Sequence, residues 1–271
     1  MSPPLTTPIT TRNARFQQWQ ALLDNRTKRH RLGEFLVQGV RPISLAIEHG
    51  WTVRAVLGDD RARRSAWAAE IWESRAPTLA GAERVLLAPE LMAELGGRDE
   101  PPELVAVVAL PPDDLARIDA DALVVVLDRP SYPGNIGTLA RSADAFGARA
   151  MIVTGHAADP YDPRSVRAST GSLLALTVVR APSHREVLDW TAVTGRRVLG
   201  LDEGGAVDVR DADLTGPVAV VVGNETVGLT AGWRAGCDAL LSIPMAGAAS
   251  SLNAATAGSI LLHEALRQRS S

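Results

Sequence analysis

Six short apolar runs in the second half of the chain constrain the fold more than any other feature. They are ALVVVLD (122–128), AMIVTG (150–155), LLALTVV (173–179), RRVLGLD (196–202), VAVVVGN (218–224) and ALLSIP (239–244). Helical stretches lie between most of these runs, and a long helical stretch closes the chain. Strands of a parallel sheet are covered by helices on both faces, so they carry continuous apolar residues. The pattern therefore predicts an α/β fold built on a parallel sheet.

The first half of the chain predicts a smaller α/β domain. A helix, a basic loop, a strand at 35–38, a second helix and another strand are expected before residue 60. Ile43, Ala46 and Ile47 share one face of that second helix, as core-facing residues do. Two more strands are expected, at 85–88 and 104–110.

The segment PPDDLARIDADA (111–122) is rich in Pro and Asp, which favours a linker between domains. We place the boundary near residue 116. The expected organisation is a disordered tail over 1–14, an N-terminal domain over 15–116 and a second domain over 117–271.

Composition excludes several classes of protein. The chain of 271 residues is 46% hydrophobic and 22% charged, which is typical of a soluble globular protein. A net charge of −3 means that a nucleic-acid surface would have to be a local patch. Cys237 is the single cysteine, which excludes an internal disulfide and favours a reducing, cytoplasmic setting. No run is long enough to span a membrane, and the N-terminal segment lacks the apolar core of a signal peptide.

Three polar turns follow strand-like runs. PSYPGNIGTLAR (130–141) follows the first run, GNETVGLT (223–230) the fifth and IPMAGAASSLNAATAG (243–258) the sixth. Gly and Asn suit any strand-to-helix turn, so each turn alone has an ordinary structural explanation. Because ligands of open α/β sheets bind at the carboxyl ends of strands, the three turns together favour a shared ligand site.

Several well-known site motifs are missing. The sequence has no GxGxxG after the first run of the sheet, no GxxxxGK[ST] and no GxSxG. We also find no His, Asp and Glu cluster spaced to hold a metal. These absences disfavour a dinucleotide enzyme, an ATP enzyme and a hydrolase, and we expect no metal. His49, His156, His184 and His263 are scattered and receive no role.

Arg141 occupies an unusual position on the helix that follows the first run. If that helix opens near Asn135, one apolar stripe contains Ile136, Leu139, Ala140, Ala143 and Phe146. Arg141 then lies nearly opposite this stripe, close to the positive end of the helix dipole, where a cation is mildly disfavoured. The side chain is either a solvated surface arginine or a functional group facing a cleft.

The three turns resemble the motifs of a known enzyme family. In order, they contain Asn135-x-Gly137-x-x-x-Arg141, then Gly223-Asn224-Glu225-x-x-Gly228, then Ile243-Pro244-Met245 followed by Ser251-Leu252-Asn253. These look like the three motifs of the SpoU (TrmH-type) RNA ribose 2′-O-methyltransferases of the SPOUT superfamily. The resemblance covers about 122–268 and includes PRSVRASTGSLLAL (163–176). One departure is Ala254-Ala255, where the family often has Val-Ser, so that a hydroxyl is missing.

The resemblance implies a SPOUT-type parallel sheet with a C-terminal trefoil knot, a homodimer and S-adenosylmethionine as the methyl donor. The residues expected to bind this cofactor are Leu201, Gly223, Asn224, Ile243, Met245 and Leu252. The residues expected to act in catalysis are Asn135, Arg141, Glu225, Ser251 and Asn253.

Each expected catalytic residue also has a structural alternative. The family assigns Arg141 as a general base, but a guanidinium stays protonated in proteins, so an electrostatic role at the alkoxide or a phosphate is the more conservative one. Asn135 is expected to orient Arg141, or simply to cap its helix. Glu225 is expected to hold Asn135 or Arg141, or to be a plain turn carboxylate. Ser251 and Asn253 open the last helix, where capping is their alternative role.

A basic cluster in the first half is the candidate RNA contact. Arg26, Lys28, Arg29 and Arg31 are expected in one short loop that grips phosphates, unless it is only a solvated loop. Arg167 is a further candidate, with a structural salt bridge as its alternative.

Phe35-x-Val37-x-Gly39, with Ala46 and Gly50 downstream, resembles the ribosomal-protein-like substrate-binding domain of many SpoU members, which implies a structured RNA substrate. Members with this extra domain more often modify ribosomal RNA, so the resemblance favours ribosomal over transfer RNA. The alternatives are a transfer RNA methyltransferase, a non-catalytic RNA-binding relative and a nucleotide-dependent oxidoreductase.

Overall fold

The computed structural model describes residues 8–60, 64–97 and 101–270. The chain divides into two compact units. Unit 1 contains Met1–Pro111 with Tyr161–Pro163, and unit 2 contains Pro112–Pro160 with Arg164–Ser271. The main division therefore falls inside the segment rich in Pro and Asp, slightly before residue 116.

Unit 1 is a four-stranded mixed sheet with helices. Its elements are α1 (Ala14–Asp24), α2 (Arg26–Leu32), β1 (Glu34–Gln38), α3 (Val40–Glu48), β2 (Val53–Asp59), α4 (Ala66–Glu73), a 3₁₀ turn (Pro77–Leu79), β3 (Glu83–Leu87), α5 (Pro89–Gly96) and β4 (Leu104–Ala109). The strand order is β1-β4-β2-β3, in which only β2 and β3 run parallel. The predicted strands of this half are confirmed, with small shifts at their ends.

The expected disordered tail differs from the structure over residues 8–14. The Ile9 N–H donates to the Leu86 carbonyl at 2.9 Å, and the Ala88 N–H donates to the Ile9 carbonyl at 3.0 Å. Asn13 then caps α1, its side chain accepting from the Phe16 N–H at 3.0 Å. The physical reason is that β3 is an edge strand with open backbone groups, which a short extended segment satisfies. The remainder of the expected tail, residues 1–7, lies outside the described residues.

The basic segment forms a helix, so the prediction of a loop is wrong. The Asn25 side chain accepts from the Lys28 N–H at 2.9 Å at the start of α2, and Gly33 closes the helix at φ 67°. One face of this helix is buried, and Arg29 lies on it with 1% exposure. Its guanidinium donates to the Leu22 carbonyl at 2.8 Å, so the assignment of Arg29 to RNA binding is corrected to a structural role.

Unit 2 is built on one seven-stranded sheet. Its elements are a 3₁₀ turn (Leu115–Arg117), β5 (Val124–Asp128), α6 (Pro133–Ala145), β6 (Ala150–Thr154), α7 (Pro163–Ala168), a 3₁₀ turn (Ser172–Ala175), β7 (Thr177–Ala181), α8 (His184–Thr194), β8 (Arg197–Leu201), β9 (Val207–Asp208), β10 (Val218–Val222), α9 (Ala231–Gly236), β11 (Ala239–Ser242) and α10 (Ala254–Arg269). The order is β7-β6-β5-β10-β8-β11-β9, and all neighbours pair in parallel. The predicted parallel sheet is confirmed, whereas the trefoil knot stays a prediction.

One predicted strand is partly helical. In the run LLALTVV, Leu173 and Leu174 are buried in a 3₁₀ turn, and the strand begins only at Thr177. Gly171, at φ 100°, precedes this turn in a left-handed conformation. A short apolar run has the same composition in a buried turn and in a buried strand, so periodicity does not separate them.

The helix that carries the first motif starts earlier than expected. Tyr132 is the N-cap of α6 and Pro133 its first residue, so Asn135 does not cap this helix. The predicted core stripe is confirmed for Ile136, Leu139, Ala140 and Ala143. Gly137 is also buried, whereas Phe146 is only half-buried. A Cβ at Gly137 would lie 2.2 Å from the Ser165 carbonyl oxygen. The motif glycine therefore permits close packing of α6 against α7.

The last helix, α10, packs on α6. A Cβ at Gly258 would lie 2.7 Å from Leu139, and the Ser259 and Ser142 hydroxyls are 2.7 Å apart. This contact brings the start of α10 to the start of α6. α10 has 16 residues, and within 8–60, 64–97 and 101–270 no helix is long and apolar enough to cross a membrane.

Candidate active site

A cavity of about 440 Å³ lies at the carboxyl ends of β8, β10 and β11. Parallel strands end at one edge of the sheet, so the turns that follow them meet there. All six residues predicted to bind the cofactor line this cavity, as do Glu225 and Ser251. The other lining residues are Asp202, Glu203, Gly204, Val222, Thr226, Val227, Gly228, Arg234, Leu241, Ala254 and Ala257.

Gly223 allows backbone atoms to form the wall of the cavity. A Cβ at this position would lie 2.4 Å from the Gly228 carbonyl carbon and 2.5 Å from the Leu229 nitrogen. Asn224 and Gly228 exchange two backbone hydrogen bonds, at 3.1 and 3.0 Å, which close the loop. Only glycine fits at residue 223, because the loop folds back directly over it.

The Asn224 side chain ties the second motif to the first. Its Nδ2 donates to the Arg129 carbonyl at 2.7 Å and to the Ser131 hydroxyl at 2.9 Å. Its Oδ1 accepts from the Thr226 and Val227 N–H groups at 2.9 and 3.2 Å. The amide is thus engaged on both sides, and Asn224 shapes the cavity wall by holding two loops together.

Sequence reasoning missed the charged groups of the cavity. Asp202 and Glu203 follow β8 directly, and Arg234 lies on α9. Arg234 Nε lies 2.7 Å from Asp202 Oδ2. Together with Glu225, three carboxylates and one guanidinium line the cavity, which leaves it acidic and suited to a cationic ligand.

Glu225 binds the N-terminal end of α6. Its carboxylate accepts from the Ser131 N–H at 2.9 Å, the Tyr132 N–H at 3.3 Å and Asn135 Nδ2 at 2.9 Å. Partial burial raises the pKa of Glu225, but these hydrogen bonds outweigh burial and hold the pKa below its usual value. Glu225 is therefore an ionised acceptor that fixes Asn135, and not a group poised to take a proton.

Asn253 joins the third motif to the first. Its Nδ2 donates to Asn135 Oδ1 at 3.2 Å, and its Oδ1 accepts from the Ala255 and Thr256 N–H groups at 2.9 and 3.3 Å. Asn253 is therefore the N-cap of α10 and also a contact of Asn135. Ser251 lies outside the helix, exposed at the cavity, and does not cap it.

Comparison with protein families agrees with these three motifs. The SpoU rRNA Methylase family model matches residues 122–263, and the SpoU L30e-like domain model matches residues 13–106.

The chain belongs to the SpoU rRNA methylase family.

Known SpoU proteins match different shares of this chain. The 23S rRNA (uridine(2479)-2′-O)-methyltransferase of Streptomyces viridochromogenes is 56% identical, over 98% of this chain and 94% of the relative. The crystal structure of the SpoU methyltransferase AviRb from the same organism, in complex with AdoMet, superposes with a TM-score of 0.89 at 55% identity, covering 96% of this chain and 99% of that one. The A. aeolicus TrmH/SpoU tRNA modifying enzyme superposes at 0.51 with 28% identity, covering 55% of this chain and 76% of that one.

Arg141, the arginine of the first motif, takes no part in the hydrogen bonds that join the three motifs. Arg141 is exposed on α6 and does not line the cavity. Within the described ranges it has no hydrogen-bond or ion-pair partner, so neither Asn135 nor Glu225 holds it. Of the two partners expected for Glu225, the structure shows Asn135. Asn135 instead bonds to Glu225 and Asn253. Arg167 is also exposed, on α7.

The acidic side chains of the cavity do not form a metal site. Among the described residues, no three or more His, Cys, Asp or Glu side chains are grouped so that they could hold a metal ion.

Proposed function

We propose that this SpoU protein transfers a methyl group from S-adenosylmethionine to a ribose 2′-hydroxyl of 23S-type ribosomal RNA. The observation that carries the proposal is the chain of hydrogen bonds Asn253–Asn135–Glu225, which joins all three motifs beside one cavity. A relative that shares more than half of its residues with this chain carries that activity in its name.

The cavity fits the proposed methyl donor in size and charge. Its volume lies in the range of small-molecule sites. S-adenosylmethionine carries a sulfonium and an ammonium against one carboxylate, and an acidic lining complements that net positive charge. Gly223, Ile243 and Leu252 would hold it through backbone groups, and AviRb, of the same fold, has been crystallised with AdoMet. When bound, it supplies an electrophilic methyl group.

The chain's own residues then have to bind and orient the ribose. The reaction deprotonates a hydroxyl, so negative charge develops on its oxygen. Arg141 is permanently cationic and has no protein partner among the described residues, so its guanidinium is available to stabilise that oxygen or bind the adjacent phosphate. Asn135, held on both sides by Glu225 and Asn253, is a positioning residue at the same edge.

Unit 1 supports ribosomal over transfer RNA as the substrate. The match to AviRb runs along nearly the whole chain, whereas the tRNA-modifying structure matches only about half of it. The L30e-like region is therefore shared with the ribosomal enzyme. Arg26 and Arg31 are exposed on α2, with Lys28 partly exposed, and these residues together with Arg167 are the proposed phosphate contacts.

We also propose that the protein acts as a homodimer in the cytoplasm. The SpoU motifs support the dimer, because the family resemblance that predicts the fold also predicts a homodimer. The compartment follows from the proposed substrate, because ribosomal RNA of this type is assembled into ribosomes in the cytoplasm.

The test is methyl transfer from labelled S-adenosylmethionine to unmodified transcripts of 23S rRNA and of tRNA. We expect label in 23S rRNA only. The transferred methyl group should block cleavage at one ribose in alkaline hydrolysis. Label in tRNA would support the transfer RNA reading instead. RNA binding without label in either transcript would support a non-catalytic binder.

A further inference from the structure

Tyr132 differs from every other aromatic side chain of this protein. The chain has six Trp, two Tyr and three Phe residues, all within the described ranges, and only Tyr132 is largely exposed, at 62%. Tyrosine combines a large apolar ring with a polar tip, and such side chains are enriched at binding interfaces. A chain with 4% aromatic residues places its one largely exposed ring in the turn of the first motif.

The backbone of Tyr132 is held tightly at the start of α6, at the edge of the sheet where the three motifs meet. Its N–H donates to Glu225 Oε1 at 3.3 Å, and its carbonyl accepts from the Asn135 N–H at 3.1 Å. Pro133 follows directly and restricts the backbone further. The same Glu225 oxygen also accepts from Asn135 Nδ2. The ring is therefore presented from a rigid turn that shares its hydrogen-bond acceptor with the positioning residue of the site.

We propose that Tyr132 stacks on an unpaired base of the substrate RNA, beside the ribose that is methylated. The inference rests on the proposed function, since it takes RNA as the ligand of this edge. A base inside an A-form helix has no free face, whereas bases of loops and bulges splay out and stack on aromatic side chains. Stacking needs no matching hydrogen-bond pattern, so one tyrosine holds the base while other groups act on the ribose.

The experiment compares Tyr132→Phe, Tyr132→Leu and Tyr132→Ala in the full-length protein. Val193→Ala is the matched control, because Val193 is 88% exposed on α8 and does not line the cavity. For each variant we would measure the Kd for an unmodified 23S rRNA transcript by filter binding. We would also measure the KM for RNA, the Kd for S-adenosylmethionine, the melting temperature and the oligomeric mass of each variant.

Stacking predicts a clear separation of the variants. Tyr132→Phe keeps the ring and should bind RNA within about twofold of the wild type, as should Val193→Ala. Tyr132→Leu and Tyr132→Ala should raise the Kd and KM for RNA by about 5-fold to 100-fold. Cofactor affinity and melting temperature should stay unchanged, because an exposed ring contributes little to the core.

Three results would overturn the proposal. Wild-type RNA affinity in Tyr132→Ala would show that the ring is idle, and equal binding by Tyr132→Leu and Tyr132→Phe would show a plain apolar contact. A changed oligomeric mass in Tyr132→Ala would identify the ring as a contact between copies. Failure of the proposed function is seen separately, as absence of methyl transfer by the wild type, because the binding measurements do not depend on transfer.

Discussion

Asn135 Nδ2 donates a hydrogen bond of 2.9 Å to Glu225 Oε1, across 90 positions of the chain. The same carboxylate accepts from two backbone N–H groups at the start of α6. A glutamate of the second motif therefore anchors the helix that carries the first motif, and this anchor forms only once the sheet brings the two motifs together.

Replacing Glu225 by Gln should weaken both the fold and the reaction. Glutamine offers one acceptor oxygen where the carboxylate offers two, and its NH₂ group would face N–H donors. We expect a loss of about 1–3 kcal/mol in the free energy of unfolding, measured in urea. Methyl transfer should fall at least tenfold, since Asn135 loses its fixed partner. Unchanged activity would show that Asn135 is positioned without Glu225.

The same pair predicts a pH dependence of stability. The pKa of Glu225 is lowered in the folded state, so its contribution is fully present above the unfolded value of about 4.3 and is lost as the pH falls through the lower, folded pKa. The difference in unfolding free energy between the wild type and Glu225→Gln should therefore be constant from about pH 6 to about pH 8. It should shrink below about pH 4. Urea titrations across this range check it. A difference that does not shrink in acid would contradict an ionised anchor.

Gly223→Ala should distort the cavity wall. The added Cβ meets backbone atoms of Gly228 and Leu229, which cannot rotate away as a side chain can. We expect about 1–3 kcal/mol of destabilisation. The Kd for S-adenosylmethionine should rise at least tenfold in calorimetry. Gly81→Ala is the matched control, because a Cβ added at Gly81 would have no atom within 4 Å beyond its chain neighbours and the φ of this residue is not positive. Equal behaviour of the two variants would exclude a special role for Gly223.

Asn253→Asp separates the two roles of Asn253. The carboxylate still accepts from the Ala255 and Thr256 N–H groups, so the cap of α10 and the melting temperature should be preserved. The amide donor to Asn135 is lost, and transfer should fall at least tenfold. Asn253→Ala should lose activity and also about 0.5–2 kcal/mol of stability. Full activity of Asn253→Asp would reduce Asn253 to a cap.

The strands and the cavity residues were predictable because their signals are local. Each apolar run is readable within seven residues, and Gly223, Ile243 and Leu252 belong to short motifs with fixed spacing. LLALTVV was predicted as a strand but begins as a 3₁₀ turn, because hydrophobicity predicts burial and not the backbone conformation of a short segment.

The rest depends on contacts between distant positions. Arg29 has the charge expected of an RNA contact. In the structure, α2 packs so that the Arg29 side chain is buried and donates to a backbone carbonyl of the preceding helix. Asp202 and Arg234 are paired across 32 positions, which no local pattern encodes. The choice of Asn253 over Ser251 as the cap follows from where α10 meets α6, and that is a property of the assembled unit.

The most direct test of this account is methyl transfer to unmodified 23S rRNA by the wild type and by Arg141→Ala, measured together with the Kd for S-adenosylmethionine. We predict 2′-O-methylation at one nucleotide by the wild type. In Arg141→Ala we predict a loss of about 100-fold to 1,000-fold in rate with the cofactor Kd unchanged, since one electrostatic group is removed from outside the cavity. Absence of transfer by the wild type, or an Arg141→Ala variant as fast as the wild type, would contradict it.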